Sequence, residues 1–522
     1  MSHLRQNHLQ NYESALAALS TCPDDIEAQH LAVLSLVRAG SLAFALVEYE
    51  RYGLDKIHHH EDVMALGGRL YKDLYLSHRE KAAQAYAHQS AEKYDAAFQE
   101  TNGYYSGINA ATMALMADMP DDMIQTRAKA ILKHLPQTPD LDDELLYFIH
   151  ATRAEAYLLL DENKKCQMSL QTAWKHDPLN YTAHATTLKQ FRMIETKRKH
   201  PSTWLDAFTP PKAVHFAGHM FGTDGEVSAA LPALKQEQIS SLKTQLSDTI
   251  QREDIGFGYG ALAAGSDILI AEALVEEGCE LHIILPVSKD IFLEHSVAPY
   301  GPSWVKRFED CLSQAHSFRI LTPLTTWPNT TIGQHASLVC MGEAIHQADI
   351  LSVSAAQLLI WDRKTNASGT ANDAQNWRMT NRPQYSLEYP KTRATQAPAP
   401  HAEEYEMHIS LTQSDNTAPA CFKDIESAIN TAITNRKKSS ADIQQGLHLF
   451  IAAQDNAVST RNANIGVNLA KTAVPGCILV SETLASLLAV YHFNDYSTDY
   501  QGQIETGERA FALRKKGASQ IT

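Results

Sequence analysis

The sequence lacks the features that mark several specialised classes of protein. Its seven cysteines are scattered over 522 residues and are never spaced as Cys-x-x-Cys, which argues against a disulfide framework and a zinc ribbon. No run of about 18 apolar residues is present, and the N-terminal segment has no apolar stretch after its charges, so we expect neither a membrane span nor a secretion signal. Lys and Arg number 45 against 60 Asp and Glu, and the resulting net charge of −15 disfavours binding to nucleic-acid phosphates. These absences predict a cytoplasmic protein with reduced thiols that binds neither nucleic acids nor membranes.

The composition is that of a folded protein with several domains. Hydrophobic residues make up 44% and charged residues 20% of the chain, which is typical of globular cores and surfaces. At roughly 100 to 200 residues per domain, the length predicts about three domains. Changes in pattern predict an all-α domain over 1–200, an α/β domain over 210–380, a Pro-rich linker over 381–402 and an α+β domain over 403–517.

The first domain has helical periodicity with almost no alternating β-branched runs. Residues 31–48 place small residues among large ones and break at Gly40 and Ser41, which predicts two helices with Ser41 capping the second. Residues 151–160, followed by a polar turn, repeat this pattern. A plain helical bundle and a stack of tetratricopeptide-like pairs both fit. We favour the tetratricopeptide-like array because small residues recur where helices must approach closely.

Three segments of this domain resemble a known family. ALGGRLYKD (65–73), NGYYSGINAATMALM (102–116) and ATRAEAYLLL (151–160) are similar to the TRAF-binding-type helical domain of apoptosis-signal-regulating kinases, which also occurs in bacterial signalling proteins. The resemblance spans about residues 60 to 190. It implies a regulatory scaffold that binds protein partners and has no active site.

The second domain alternates short apolar strands with helices. A strand over 214–217 ends at Gly218 and His219, and residues 255–286 read as strand, glycine-rich turn, helix and strand. Such a βαβ unit predicts a Rossmann-like parallel sheet, with ligands beyond the carboxyl ends of its strands. The NAD fingerprint is rejected because the next strand has no acidic residue at its end.

Glycines at these strand ends suggest a binding site. Gly258, Gly260 and Gly265 would let the backbone approach an anion, and Ser266 and Asp267 begin a helix whose free N–H groups favour negative charge. Close packing of strand on helix would explain the same glycines without a ligand. A second small-residue turn, Ser368-Gly369-Thr370, follows the strand over 358–361, and two such turns on neighbouring strands would face one crevice.

At this point the domain resembles the SLOG superfamily of Rossmann-like proteins. The similar segments are AGHM (217–220), GYGALAAGSDILIAEA (258–273), HIILP (282–286) and WDRKTNASGTA (361–371). The resemblance implies that a nucleotide or nucleotide-derived ligand binds at Gly218, His219, Gly258, Gly260, Gly265, Ser266, Asp267, Gly369 and Thr370. Hydrolytic members carry a Glu on the helix after their PGG-x-GT loop, and here Ala371, Asn372 and Asp373 follow Thr370, so we expect sensing without turnover and assign no catalytic residue.

The third domain reads as α+β, with a strand over 446–451, a helix over 465–471 and a closing ribbon that turns at Thr506 and Gly507. The order GLH, VN-x-A, PG-x-I-x-VSE and G-x-x-A-x-A-L-R over residues 420–516 resembles the second half of a class III adenylate/guanylate cyclase domain. These enzymes hold two Mg²⁺ ions on carboxylates of the first half, of which Asp415 is the one candidate remnant. Asn468 matches the ribose-binding Asn, but Lys471 and Thr472 stand where the transition-state Arg is expected.

The resemblance therefore implies a degenerate cyclase-like module without a metal, which could still form a homodimer. The His58-His59-His60 tract predicts no metal site either, because consecutive helical residues point about 100° apart. Together the patterns predict a signalling protein with a nucleotide-sensing domain between a protein-binding array and a dimerisation domain. Two alternatives remain: a nucleotide cyclase or hydrolase active with a partner chain, and a scaffold without a ligand.

Overall fold

The structure is a computed structural model of the chain. It describes residues 7–78, 80–136, 142–228, 231–322, 330–363, 369–390, 405–414, 419–438, 444–453, 460–492 and 494–516. Within these ranges no helix combines the length and the apolar character needed to cross a bilayer.

The described residues between 7 and 200 form an all-helical array, as the periodicity predicts. The described helices are α1 (His8–Thr21), α2 (Ile26–Arg38), α3 (Leu42–Arg51), α4 (Glu61–Ser77), α5 (Glu80–Thr101), α6 (Tyr104–Met116), α7 (Asp121–His134), α8 (Asp143–Leu159), α9 (Asn163–His176) and α10 (Tyr181–Arg198). Consecutive helices from α1 to α9 pack as neighbours, and every residue of α6 from Ser106 to Met116 is buried. The alanines and glycine of α6 explain this burial, because small side chains let helices close in on all sides.

The break at Gly40 and Ser41 ends α2 and begins α3, but Ser41 does not cap α3. Its hydroxyl donates instead to the carbonyl of Pro475, which is 434 residues away in the sequence. Cys477 makes a second contact of this kind, since its Sγ lies 3.4 Å from the carbonyl oxygen of Ala39. The predicted cap is therefore wrong, and this turn joins the array to the C-terminal domain.

The middle domain is a six-stranded parallel sheet with helices on both faces. Its strands are β1 (Lys212–Gly218), β4 (Ile255–Gly260), β5 (Glu280–Leu285), β6 (Ser317–Ile320), β7 (Ala356–Trp361) and β8 (Gln384–Glu388), in the order β6-β5-β4-β1-β7-β8, and β2 (Gly222–Thr223) pairs separately with β3 (Ala233–Leu234). Its helices are α11 (Gln236–Arg252), α12 (Ser266–Glu276), α13 (Lys289–Ser296), α14 (Pro302–Gln314), α15 (Thr330–Leu351) and α16 (Gly369–Met379). The α/β class with a parallel sheet is thus confirmed.

The linker expected over 381–402 is wrong at its start. Residues 384–388 form β8, which pairs in parallel with β7 from Gln357 to Trp361. The carbonyl of Pro383 accepts hydrogen bonds from the Trp377 indole at 2.9 Å and from the Gln357 backbone at 3.0 Å, so this proline opens an edge strand. Residues 391–402 lie outside the described part of the chain.

The C-terminal domain has a mixed sheet in the order β10-β9-β11-β12-β14-β13. The elements are β9 (Tyr405–Gln413), β10 (Ala420–Phe422), α17 (Ile425–Lys438), β11 (Gln445–Ala453), α18 (Thr460–Thr472), β12 (Ile478–Ser481), α19 (Glu482–Tyr491), β13 (Tyr496–Gln503) and β14 (Arg509–Lys515). β11 and β12 are parallel and the other pairs antiparallel. The predicted closing ribbon is β13 and β14, which turn at Gly507 with φ of 81°.

Both faces of this C-terminal sheet are covered from within the chain. One face contributes Leu479, Ala510 and Ala512 to a core shared with α18 and with α2 to α4 of the array. The other face contributes Val480 and Phe511 to a core shared with α15, α17 and α19. The middle domain therefore packs on the C-terminal domain through α15, and the array packs on the opposite side.

Two buried glutamates and two partly buried arginines meet where the middle and C-terminal domains pack, and we call them the ion quartet: Arg319 of β6, Glu343 of α15, Glu482 of α19 and Arg509 of β14. Arg319 pairs with Glu482 and lies 3.7 Å from Glu343, and Arg509 pairs with both carboxylates. Burial raises the pKa of Glu482, whereas the charge of Arg319 lowers it and favours the carboxylate. Opposite charges in equal number make the burial tolerable.

Candidate functional site

The sheet order places a crevice between β1 and β7. The strands β4, β5 and β6 lie in turn on one side of β1. The chain then continues through α15, and β7 and β8 lie on the other side of β1. The loops after β1 and β7 therefore diverge, which is where open parallel sheets bind ligands. Gly218 ends β1 and His219 follows it, and Asp362 follows β7.

His219 bridges the two diverging loops. Its Nε2 lies 3.3 Å from Oδ1 of Asp362, and its backbone N–H donates to the carbonyl of Ile360 at 3.1 Å. The ring also packs edge-on against Tyr389, with centroids 5.1 Å apart. His219 is thus held in place at the end of β1 by its contacts with the loop after β7 and with Tyr389.

The turn before α12 is tightly folded against β1. Gly265 has φ of 96°, and a Cβ on it would lie 2.7 Å from Cδ1 of Phe221. The backbone N–H and the hydroxyl of Ser266 both donate to the carbonyl of His219, at 3.2 Å and 2.7 Å. Two donors expected to face an anion are therefore already used inside the protein.

The remaining predicted glycines differ in their surroundings. A Cβ on Gly218 would lie 2.6 Å from the carbonyl oxygen of Ile360, and one on Gly260 would lie 2.6 Å from Cε2 of Phe216. A Cβ on Gly258 would overlap Leu274 of α12. At these three positions the strands pack closely on neighbouring residues. Close packing therefore explains these glycines without a ligand.

Gly369 begins α16 and is different from those three. A Cβ on it would meet no described atom within 4 Å, whereas the adjacent Thr370 is buried. Ser368 and the four residues before it lie outside the described ranges. Gly369 is therefore the predicted site position at which a side chain could be added without disturbing the described packing.

Two buried carboxyl groups, Asp267 and Asp373, lie beneath the crevice. Burial raises the pKa of each to about 7, and the charge of Asp373 contributes to the rise at Asp267. Asp267 accepts a hydrogen bond from the backbone of Ala263 at 3.3 Å, and Asp373 accepts one from Ser337 of α15. Carboxyl groups that exchange protons near neutral pH are common at functional sites.

Asp373 is the residue that sequence reasoning missed. The sequence offers only its position three residues after Thr370, at the start of the helix that follows the second small-residue turn. Its burial and its proximity to Asp267 depend on the packing of α12, α15 and α16, which no local pattern reveals.

A chain of hydrogen bonds extends from Asp373 through the sheet. The Gln357 amide donates to Nδ1 of His215 at 3.0 Å, which assigns the ring proton to Nε2, 3.4 Å from the hydroxyl of Ser337. Burial lowers the pKa of His215 to about 3, so the imidazole is neutral. Gln384 of β8 donates to Gln357 at 2.7 Å and completes the chain. Hydrogen bonds thus link Asp373 to Gln384 of β8, the edge strand of the sheet.

The cyclase-like residues are not brought into a comparable site. Asn468, Lys471 and Thr472 lie on α18, between the C-terminal sheet and the array. Asp415 lies outside the described residues. In the described ranges no three His, Cys, Asp or Glu side chains are placed to hold a metal ion.

Comparison with known proteins agrees with the helical array. The family model for Tetratricopeptide Repeats-Sensor, TPR-S, matches residues 8–114. No curated protein matches the chain. The N-terminal region is therefore a tetratricopeptide-type array, which decides between the two helical alternatives.

Two solved structures are among those similar to the chain. TTC0263, a thermophilic TPR protein of Thermus thermophilus, is 14% identical over 35% of this chain and 89% of its own, with a TM-score of 0.28. LpoA of Haemophilus influenzae is 10% identical over 73% of this chain and 69% of its own, with a TM-score of 0.16.

Proposed function

We propose that the protein is a regulatory sensor that binds a nucleotide-type ligand in the crevice between β1 and β7. The bridge between His219 and Asp362 carries this proposal, because it places polar side chains at the point where the loops diverge. The surroundings of Gly369 at the start of α16 also support it, since a Cβ there meets no atom of the described residues within 4 Å and a ligand needs room in this region. The SLOG resemblance supplies the ligand class.

α15 offers a route from this crevice to the rest of the chain. Its Ser337 bonds to Asp373 beneath the crevice, and its Gly342 and Glu343 contact α19 and the ion quartet. A ligand that shifts α15 would therefore act on the C-terminal domain. That domain packs in turn on the array, and tetratricopeptide-type arrays generally bind proteins. The expected output is a change in binding to a protein partner.

A thermal-unfolding panel of nucleotides, nucleoside phosphates and cyclic nucleotides tests the proposal. A ligand at 100 times its Kd adds about 2.7 kcal/mol to the stability of the folded state. Gly369→Leu should fold normally, because a Cβ there meets no described atom within 4 Å, and we expect it to abolish the shift by competing with the ligand for that space. Thr244→Leu, on the exposed surface of α11, should respond like the wild type. A flat panel would leave the ligand-free scaffold as the explanation.

A second candidate, hydrolysis of a nucleotide in the same crevice, is favoured by the carboxyl pair. A group with a pKa near 7 can give and take a proton at neutral pH, and both Asp267 and Asp373 have this property. Product formation that Asp373→Asn abolishes, while nucleotide binding persists, would establish turnover. Binding of the nucleotide without product formation in the wild type would support sensing without turnover.

The cyclase alternative depends on Asp415 and a partner chain, and a magnesium-dependent assay with that partner tests it.

A further inference from the structure

The strand β8 forms an outer edge of the middle sheet. Among the described strands it pairs with β7 alone. The carbonyl of Pro383 and the N–H of Tyr389 both bond to β7, at 3.0 Å and 3.1 Å. Because the backbone groups of successive strand residues point in alternate directions, three residues between them direct their N–H and C=O groups away from β7: Gln384, Ser386 and Glu388. β8 therefore offers backbone donors and acceptors to a further strand.

A groove lies along this edge, between β8 and α11. Its wider part has a volume of about 460 Å³ and is lined by all five residues of β8 and by one face of α11. A second part of about 240 Å³ continues it, because Gln245 and Glu388 line both parts. The buried side chains of Leu242 and Leu387 contribute to the lining. A groove between a strand edge and a helix is an arrangement that binds extended peptides by strand addition.

The groove is acidic. Glu237 and Asp248 of α11 line it together with Glu388 of β8. Arg252 lines it as well, and its Nε lies 3.2 Å from Glu253, a partner outside the groove. Two copies of the chain joined through this edge would bring the same acids together, which is unfavourable. The charge of the groove favours a cationic occupant instead.

We propose that β8 and α11 form a docking groove for a basic, extended segment of a protein partner, which adds to the sheet as a further strand. The outward backbone groups of β8 would align this segment, and its lysines or arginines would meet the acids of the groove. Nη2 of Arg363 lies 3.4 Å from the carbonyl oxygen of Ser386, and this exposed side chain would move aside. The groove is on the outer edge of the sheet and is separate from the crevice between β1 and β7.

The chain itself contains a competing candidate for the groove. Residues 391–402 follow β8 in the sequence and carry Lys391 and Arg393 without an acidic residue. Pro398 and Pro400 in this segment lack the N–H that strand pairing uses, which favours a partner segment over this one.

Fluorescence anisotropy of the full chain with a labelled heptapeptide of alternating lysine and valine tests the groove. The same peptide with its backbone nitrogens methylated keeps its charge but loses its N–H donors, so it should bind about tenfold more weakly or worse. Ser386→Pro should weaken binding of the first peptide to a similar extent, because it removes an outward N–H, and an edge strand tolerates proline there. Ser386→Ala keeps this N–H and should bind as the wild type does. The methylated peptide needs only the wild-type chain, so this comparison holds even if Ser386→Pro fails to fold.

A second set of variants tests the charge of the groove. Glu237→Gln combined with Glu388→Gln should weaken binding several-fold and reduce its dependence on salt. Glu144→Gln, on the exposed surface of α8, should bind as the wild type does. A heptapeptide of alternating glutamate and valine should not bind.

Three results would overturn the proposal. The first is a wild-type chain that does not bind the lysine–valine peptide. The second is equal affinity for the methylated and unmethylated peptides, which would mean attraction by charge without strand addition. The third is binding that appears only after Lys391→Ser with Arg393→Ser, which would assign the groove to the chain's own segment.

Discussion

Gly342 of α15 lies against the backbone of Ser486 in α19. A Cβ on Gly342 would stand 2.8 Å from the carbonyl oxygen of Ser486 and would overlap its Cα. The two helices therefore cross with their backbones in contact, which a larger residue at this position would prevent. Through this crossing the middle and C-terminal domains pack as one unit, with the ion quartet beside it.

Gly342→Ala should destabilise the chain by about 1–3 kcal/mol, because the new methyl group forces α15 and α19 apart. Gly333 provides a control on the same helix, since a Cβ there meets no described atom within 4 Å. Gly333→Ala should leave stability unchanged or raise it by about 0.5–1 kcal/mol through helix propensity. Urea unfolding measures the change in the free energy of unfolding for both variants. Equal effects of the two substitutions would contradict the close crossing.

Gly265→Ala should destabilise the middle domain by roughly 1–3 kcal/mol, because φ of 96° is unfavourable for alanine and the methyl group meets Phe221. Gly369→Ala should leave stability nearly unchanged, since it begins a helix beside open space. Differential scanning fluorimetry measures the unfolding temperatures of the two variants and distinguishes these effects. A stable Gly265→Ala variant would show that the turn before α12 relaxes easily.

Much of the fold follows from local patterns in the sequence. The 3.6-residue period and the small residues of 31–48 predict the paired helices, and the strand and glycine pattern of 255–286 predicts the βαβ unit that the structure contains. Gly507 likewise marks the closing ribbon. In each case the signal lies within about 30 residues, and hydrophobic periodicity and turn chemistry act over that range.

What the sequence does not show depends on distant contacts. Prolines around 383–390 suggest a linker, yet the edge of β7 offers hydrogen bonds that recruit 384–388 as a strand. Ser41 has the position of a helix cap, but the carbonyl of Pro475 takes its hydroxyl. From the sequence, Gly258 and Gly260 could line a ligand site. Only the positions of Leu274 and Phe216 in the structure show that these glycines allow close packing.

Arg509→Met should destabilise the chain by about 3–5 kcal/mol, because it leaves Glu343 and Glu482 buried with one cation between them. The double variant Arg509→Met with Glu482→Leu removes one charge of each sign and should recover part of this loss. Lys306→Met, which breaks an exposed pair with Asp310, should change stability by less than about 1 kcal/mol. Strictly additive single effects in the double variant would contradict a coupled quartet.

The carboxyl pair beneath the crevice should make stability depend on pH. Burial raises the pKa of Asp267 and Asp373 to about 7, so the folded state binds more protons than the unfolded state between about pH 4 and 7. Stability should therefore fall as pH rises through this window and level off above it. Each tenfold gain in proton affinity corresponds to roughly 1.4 kcal/mol, so the fall should amount to a few kcal/mol.

Asp373→Asn removes one of these titrations and keeps an oxygen that can accept the hydrogen bond from Ser337. Its unfolding temperature should exceed that of the wild type at about pH 8, where the native carboxyl is charged, and approach it at about pH 5. Asp248→Asn, on the exposed surface of α11, should follow the wild-type curve. Burial also raises the pKa of Glu482, which adds a similar trend in every variant, so the measurement is the difference between the two curves. An Asp373→Asn curve parallel to the wild type would mean that the carboxyl is ionised throughout, which would also remove the main support for proton transfer in the crevice.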